Sequence, residues 1–368
     1  MKRLIIAVLF SLTNGCGMEM KESKIFFEET KPKHHTSAGF RNYPHEPNKQ
    51  TSSSPGIGFI LRRFRGSFFP PEVPSDHAVP EKEALRRLDT LKAQDTVTWL
   101  GQSAFLIRID GKTILTDPFL TENAFPLVWG GPKRFVPPGI EINNLPPIDI
   151  LLISHDHHDH LDPKTIKALP NKEKIAVIVP LGLKRFFEER GYKTIHELDW
   201  FQAVTIDGST ITALPAVHNS GRGLNDKNKT LWSSWALRNT SLNLYFTGDT
   251  AYSSRAFKEI GDGYGPFDAA FQPIGAYEPR DFMIAYHATP EEAVQIGIAI
   301  NAKALIAMHW GTIDLSDEPY WEPPQRFTDA ANKAGIPEQN VWRMKIGETR
   351  VLQGNGTMKH PYFFTSER

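Results

Sequence analysis

The tract His155-Asp156-His157-His158-Asp159-His160 has the types and spacing of side chains that bind metal ions. It directly follows the apolar run 148–153, which is typical of a buried strand. Side chains alternate along an extended chain, so His155 and His157 point to the same side and can hold one ion. A turn at 161–163 would let Asp159 and His160 reach a second ion. Imidazole and carboxylate ligands suit zinc and its first-row neighbours.

The alternative interpretation of this tract is a solvated, histidine-rich loop. Its place at the end of an apolar strand, outside any low-complexity sequence, disfavours that alternative. Two ions need more ligands than the tract supplies. His218, Asp249 and His309 each stand just past an apolar segment. A single histidine beside a strand is usually structural, but three such ligands at strand ends can converge on one edge of a sheet.

The elements that must position these ligands are strands in groups with helices between them. Alternation, apolar runs and turn residues predict strands at 96–100, 104–109, 113–115, 148–153, 176–179, 203–206, 210–214, 233–237, 242–247 and 304–308. Helices are predicted at 183–191, 289–301 and 324–334, the second opened by Thr289 as N-cap with Pro290 and Glu292 in a capping box. This pattern fits two sheets covered by helices better than one simply wound parallel sheet.

The ligand set resembles that of the metallo-β-lactamase superfamily. The resemblance implies an α/β fold, an αβ/βα sandwich of two mixed sheets flanked by helices. It also implies two zinc ions, with iron or manganese as alternatives. By this resemblance, the ligands of one ion are His155, His157 and His218. The ligands of the other are Asp159, His160 and His309, and Asp249 bridges the two ions.

Several longer segments of the sequence resemble the branch of that superfamily that hydrolyses N-acylphosphatidylethanolamine as a phospholipase D. They lie at 98–102, 115–118, 179–183, 197–200, 231–235, 273–280, 309–312 and 322–324. The similarity covers roughly residues 35 to 350. It implies a di-zinc phosphodiesterase that releases an N-acylethanolamine and leaves phosphatidic acid. The expected partners are a phospholipid or another phosphodiester and a membrane surface.

The resemblance also assigns roles to residues around the ions. Asp159, Asp249 and His287 are the expected catalytic residues; His287 would orient substrate or assist proton transfer, or else be structural. The expected substrate-binding residues are His158, Tyr277, Glu278 and Arg280, although Arg280 could instead pair with Glu278. His158 stands where the mammalian enzymes carry Tyr, and segment 219–222 also differs from theirs. Asp117 is expected to orient a ligand histidine, or else to form a turn before Pro118.

The composition excludes some classes of partner. The chain has 368 residues, with 42 basic and 42 acidic side chains, so no basic excess points to nucleic acid. Residues 1–16 resemble an export signal, and Cys16 is the only cysteine, which excludes a disulfide within the chain. Lipidation of Cys16 is expected, with simple signal cleavage as the alternative. The predicted location is a bacterial cell envelope, lipid-anchored and facing the periplasm.

The sequence predicts three regions: the signal at 1–16, a linker and arm at 17–94 that packs on the core, and a hydrolase domain at 95–368. Residues 17 to about 80 are expected to be irregular. Within the arm, the mixture of aromatic and arginine residues at 59–69 indicates either contact with anionic lipid or packing on the domain.

Two other functions remain as alternatives. One is hydrolysis of a small substrate, a sugar lactone or small phosphodiester; the other is a non-catalytic zinc-binding envelope lipoprotein. The longer segments that resemble the phospholipase D branch disfavour β-lactam hydrolysis.

Overall fold

Two seven-stranded mixed sheets form the centre of the computed structural model, which describes residues 32–43, 56–66, 69–124 and 132–352. The first sheet has the order β14-β1-β2-β3-β4-β5-β6. Its strands are β1 (Thr96–Gly101), β2 (Ala104–Ile109), β3 (Lys112–Thr116), β4 (Ile150–Leu152), β5 (Ala176–Pro180), β6 (Thr194–Leu198) and β14 (Thr349–Val351). The pairs from β14 to β3 are antiparallel, and those from β3 to β6 are parallel.

The second sheet has the order β13-β12-β11-β10-β9-β8-β7. Its strands are β7 (Ala203–Ile206), β8 (Ser209–Leu214), β9 (Ser234–Arg238), β10 (Asn243–Phe246), β11 (Phe267–Pro273), β12 (Ala302–Met308) and β13 (Val341–Trp342). Pairs from β7 to β10 are antiparallel, and those from β10 to β13 are parallel. Both sheets are therefore mixed, which confirms the predicted fold class.

Helices cover the outer faces of the two sheets. They are α1 (Ile57–Gly66), α2 (Glu81–Thr90), α3 (Pro163–Ala168), α4 (Lys184–Glu188), α5 (Ser254–Tyr264), α6 (Arg280–Met283), α7 (Pro290–Ala299) and α8 (Pro323–Lys333). One apolar cluster joins β2, β4 and β5 to α2, α3 and α4. A larger cluster lies between the two sheets and continues to α5, α7 and α8. The layers are therefore helix, sheet, sheet, helix.

Several sequence predictions differ from the structure in their bounds. The predicted strand at 148–153 is shorter, as β4, and the helix predicted at 183–191 spans only α4. The capping box at the start of α7 is present as predicted, with both reciprocal hydrogen bonds of Thr289 and Glu292. The prediction that 17 to about 80 is irregular is wrong where α1 forms. Strands β6, β11, β13 and β14 were not predicted. Strand β11 has no alternating pattern and is buried along its whole length.

Helix α1 packs on the domain through side chains at its middle. Arg62 donates from Nε to Asp317 Oδ1 at 2.9 Å, and the Phe59 ring lies 6.5 Å from that of Phe282. Leu61 and Phe69 remain 61% and 71% exposed. The structure thus shows the arm packed on the domain, one of the two alternatives that the sequence left open. Residues 1–16 with Cys16, and Phe68 of the arm, lie outside the described residues.

Candidate metal centre

All seven predicted ligands meet at one edge of the two sheets, because each follows the end of a strand. The tract 155–160 begins three residues after the end of β4, and His218 lies four residues after the end of β8. Asp249 and His309 follow β10 and β12, which lie on either side of β11 in the parallel part of the second sheet. The first sheet therefore supplies four ligands and the second sheet three, so the centre forms where the layers meet.

The first group of ligand atoms comes from His155, His157 and His218. His155 Nε2 lies 2.9 Å from His157 Nδ1, and His218 Nε2 lies 3.2 Å from the same atom. The second group comes from Asp159, His160, Asp249 and His309. Both His160 Nε2 and His309 Nε2 lie 3.1 Å from Asp249 Oδ2.

Asp249 connects the two groups. Its Oδ2 also lies 3.9 Å from His155 Nε2 and 3.8 Å from His218 Nε2. Asp159 belongs to the second group alone, with Oδ2 at 3.4 Å from His160 Nε2 and 3.3 Å from His309 Nε2. One carboxylate placed between two sets of ligands is the arrangement that a bridging ligand requires.

The donor set fits a pair of divalent ions. Zinc–nitrogen bonds of about 2.0–2.1 Å in a tetrahedron separate the ligand atoms by roughly 3.3 Å, close to the separations within each group. His160 Nε2, His309 Nε2 and Asp249 Oδ1 are buried and complete no hydrogen bond with the described residues. Buried polar atoms without partners are costly unless a ligand satisfies them. These atoms therefore indicate a cation site.

Outer partners of two ligand histidines, His155 and His160, fix which ring nitrogen faces the centre. Asp117 accepts a hydrogen bond from His160 Nδ1 at 2.7 Å and another from the Ser154 hydroxyl at 2.5 Å. Because that hydroxyl proton is used, the Ser154 oxygen accepts from His155 Nδ1, at 2.8 Å. One buried carboxylate thus orients two ligand histidines with Nε2 toward the centre. The role expected for Asp117 is confirmed by these contacts.

Two more ligands are oriented by groups that sequence reasoning did not identify. His218 Nδ1 donates to the carbonyl of Tyr286 at 2.8 Å, and the Gln102 side-chain amide donates to Asp159 Oδ2 at 2.8 Å. Gln102 lies in the turn between β1 and β2 and Tyr286 in the loop before α7. No spacing in the sequence relates either residue to the ligand that it contacts.

The histidines of the centre fall into two groups by the direction in which their pKa is shifted. Burial lowers the pKa of His157 to about 4 and that of His218 to about 3, so both are neutral at pH 7. Burial also opposes the charged form of His309, but the carboxylates of Asp249 and Asp159 outweigh it and raise its pKa to about 9. The same balance raises the pKa of His160.

His287 lies on the rim of the centre. Its Nδ1 is 4.0 Å from Asp249 Oδ2, and its ring centroid is 5.1 Å from that of His218. Burial lowers its pKa to about 3, which makes the ring neutral at pH 7. Nδ1 completes no hydrogen bond with the described residues. The structure therefore brings His287, the predicted catalytic histidine, beside the ligand groups.

His158 points away from the ligand groups toward the segment after His218. Arg222 donates from Nη2 to His158 Nδ1 at 2.7 Å, and the His158 ring faces the carbonyl of Arg222 at 3.3 Å. Arg222 also donates to the carbonyls of Asp156 and Leu161, the latter at 2.8 Å. The two departures from the mammalian pattern, at 158 and at 219–222, therefore contact each other and brace the metal-binding tract.

The remaining predicted substrate-binding residues have structural partners. Tyr277 is fully buried and donates its hydroxyl to Glu322 at 2.8 Å, so its side chain does not line an open cleft. Arg280 donates to the carbonyl of His287 at 2.7 Å and pairs with Glu292 at 2.5 Å. Among the described residues, the Arg280 guanidinium pairs with Glu292, and the Glu278 carboxylate accepts the backbone N–H of Arg280. Arg280 instead supports the turn that presents His287.

Comparison with known proteins identifies the class of protein that this fold and site define. Residues 112–310 match the family described as the β-lactamase superfamily domain, which is more than half of the chain. The chain belongs to the β-lactamase superfamily.

Among its relatives are proteins named N-acyl-phosphatidylethanolamine-hydrolyzing phospholipase D. That of Caenorhabditis elegans is 40% identical over 238 residues, which cover 62% of this chain and 67% of the relative. The mitochondrial protein of Saccharomyces cerevisiae is 34% identical over 261 residues, covering 69% of this chain and 55% of the relative. An uncharacterized protein of Mycobacterium tuberculosis is 38% identical over 272 residues, covering 73% and 71%. The chain is therefore a metal-dependent hydrolase.

Solved structures support the fold. An isothiocyanate hydrolase from Delia radicum gut bacteria has a TM-score of 0.57 at 17% identity, covering 70% of this chain and all of that protein. A metallo hydrolase from Ignicoccus hospitalis has a TM-score of 0.51 at 21% identity, covering 70% and 97%. Among the described residues, no helix has the length and apolar character that crossing a membrane requires.

Proposed function

We propose that this protein is a di-zinc phosphodiesterase of the phospholipase D type. Its proposed substrate is a membrane phospholipid, N-acylphosphatidylethanolamine, cleaved to an N-acylethanolamine and phosphatidic acid. The observation that carries the proposal is the meeting of two ligand groups at Asp249, in a chain whose relatives at 40% and 34% identity are named for this reaction. Iron or manganese are the alternatives to zinc.

The residues of the centre suit the needs of phosphodiester hydrolysis. When bound, two divalent ions lower the pKa of water toward neutrality and neutralise the charge of a phosphodiester. Asp249 would hold both ions at one separation, and Gln102 would keep Asp159 oriented toward the second. His287, neutral at pH 7, would donate a hydrogen bond to a substrate oxygen, or would take up a proton from the attacking water and transfer it to the departing alkoxide.

A membrane substrate agrees with two features outside the centre. Leu61 and Phe69 expose most of their apolar surface on the arm that carries Arg62. Residues 1–16, which end in Cys16, have the form of an export signal. We propose that the protein is lipid-anchored at a bacterial envelope and that the arm contacts anionic lipid.

One observation favours a second candidate, hydrolysis of a small phosphodiester or lactone. A cavity of about 20 Å³ beside His309 is lined by Gln102, Ser316, Glu318 and Tyr320, among other residues. Polar groups make up the larger part of its exposed lining. A small polar ester would suit such surroundings better than a lipid.

The deciding experiment offers both substrate classes to the zinc-loaded protein. N-acylphosphatidylethanolamine in vesicles, bis(p-nitrophenyl) phosphate and a sugar lactone would be compared, with products identified by mass spectrometry. We expect phosphatidic acid and N-acylethanolamine in equal amounts, and no product after chelation or in Asp249→Ala. Turnover of the lactone or the small diester alone would favour the second candidate. If the protein hydrolysed none of these esters with its zinc sites filled, it would be a non-catalytic zinc protein, and the proposal would be overturned.

A further inference from the structure

Residues 33–43, which we call the N-terminal strap, lie against the connection between the two sheets. His34 and His35 both donate hydrogen bonds from Nε2 to Asp199, at 2.6 and 2.8 Å. The His34 ring stacks on Trp200, with centroids 4.3 Å apart. Asp199 and Trp200 lie between β6 and β7, so the strap is attached where the first sheet passes into the second.

The contact of these histidines with Asp199 is a hydrogen-bonded latch and not a further metal site. Its nitrogen–oxygen distances of 2.6 and 2.8 Å are shorter than the roughly 3.3 Å between ligands of a tetrahedral ion. The Trp200 backbone N–H also donates to Asp199 Oδ1. Both carboxylate oxygens are therefore satisfied by N–H groups, unlike the atoms of the metal centre.

The strap then follows a fixed path toward the metal centre. Phe40 donates its N–H to the carbonyl of Asn228 at 2.8 Å. Gly39 has φ +143°, and a Cβ at this position would lie 2.1 Å from the Asn228 oxygen. Only glycine permits this close approach. The strap is thus held at both His34 and Phe40, which brings Asn42 beside His218.

Asn42 makes two reciprocal hydrogen bonds with the backbone of the metal ligand His218. Its Nδ2 donates to the His218 carbonyl at 2.9 Å, and its Oδ1 accepts from the His218 N–H at 3.1 Å. The Trp232 indole N–H also donates to Oδ1, at 3.0 Å. A side-chain amide with three partners has one orientation. It holds the His218 backbone as a neighbouring strand would.

We infer that Asn42 is a positioning residue for the metal centre and that the strap is a working part of that centre. Tyr286 fixes the ring orientation of His218, while Asn42 fixes the backbone from which the ring projects. A ligand displaced by a few tenths of an ångström weakens the ion that it holds. The inference depends on the metal centre and not on the identity of the substrate.

The test measures zinc affinity in the full-length protein by competition with a chromogenic chelator, with no substrate present. Asn42→Ala should weaken one of the two zinc ions by roughly 10- to 100-fold, the usual effect of losing a partner outside the ligands. The matched control is Asn239→Ala. Asn239 accepts from the backbone N–H groups of Ser241 and Leu242 at the far end of β10 from Asp249. This variant should lose comparable stability and keep wild-type affinity.

Wild-type affinity for both ions in a folded Asn42→Ala variant would overturn the inference, and so would equal losses in the two variants. If circular dichroism shows that the Asn42→Ala variant does not fold, zinc binding by the Asn42→Asp variant tests the inference instead. Its carboxylate can still accept from His218 and Trp232 but cannot donate to the His218 carbonyl. Weaker binding of one zinc ion supports the inference, and unchanged binding overturns it.

Discussion

At the scale of residues, the adjacent residues His157 and His158 contact different parts of the protein. His157 faces His155 and His218 through Nδ1, whereas His158 accepts a hydrogen bond from Arg222. The chain begins a turn at this point, because the N–H groups of His160 and Leu161 both donate to the carbonyl of His157. Two adjacent histidines therefore offer a matched pair for testing the ligand assignment.

We predict that His157→Ala abolishes turnover and lowers bound zinc, because the first group keeps only two ligands. His158→Ala should keep the zinc content of the wild type, since its partners are in the 222 segment and not in the centre. Metal analysis by mass spectrometry, with hydrolysis of bis(p-nitrophenyl) phosphate, checks both variants. Full zinc retention by His157→Ala would contradict the assignment.

The charge state of the centre predicts proton release on metal binding. In the metal-free protein at pH 7, Asp249 and Asp159 hold His309 protonated, with a pKa of about 9, and raise the pKa of His160. Metal binding needs neutral imidazoles, so zinc should displace these protons. Release should decrease as the pH rises through about 9, where His309 loses its proton unaided.

Calorimetric zinc titrations in buffers of different protonation enthalpy would measure this release. We expect up to about two protons per protein at pH 7, one from each of the two raised histidines. A heat of binding that is independent of the buffer at pH 7 would contradict the prediction.

At the scale of elements, the turn after β10 shows how closely the two sheets approach at the centre. Gly248 has φ +61°, and a Cβ there would lie 2.6 Å from the Cβ of Ser154. Ser154 carries the hydrogen bonds that link His155 to Asp117. The residue before Asp249 must therefore be glycine, both for its backbone conformation and for space.

We predict that Gly248→Ala lowers the free energy of unfolding by about 1–3 kcal/mol, from the strained backbone and the contact with Ser154. It should also reduce zinc affinity. Gly263, in α5, has open space where its Cβ would lie, so Gly263→Ala should be neutral or stabilise by up to about 1 kcal/mol. Urea denaturation of the metal-free proteins checks both. Equal stability of the two variants would refute this account of Gly248.

At the scale of the whole molecule, the proposed anchor can be tested separately from the chemistry. Cys16→Ser removes the only sulfur that lipidation could use, so the protein should move from the membrane fraction to the soluble fraction. Thr13→Ser, in the same segment, is the control and should stay with the membrane. Retention of Cys16→Ser after a salt wash would show that another feature anchors the protein.

Much of the centre could be predicted because its ligands follow apolar strands, and strand ends meet at a sheet edge. Asp249 and His309 are examples, since local patterns identify β10 and β12. The contacts of Asn42 and Gln102 could not be predicted. They join loops far apart in sequence, such as residue 42 with residue 218, and only the tertiary fold brings them together. Strand β11 was missed because a buried central strand lacks alternation.

The pairing of β14 with β1 has a consequence for biosynthesis. Strand β1 is complete at Gly101, but its outer neighbour begins at Thr349, about 250 residues later. Until then the nascent chain exposes an unpaired backbone edge, the kind of surface on which polypeptides aggregate. Such distant pairing also slows folding. Strand β14, the last strand of the described chain, thus covers an edge that the rest of the first sheet leaves open.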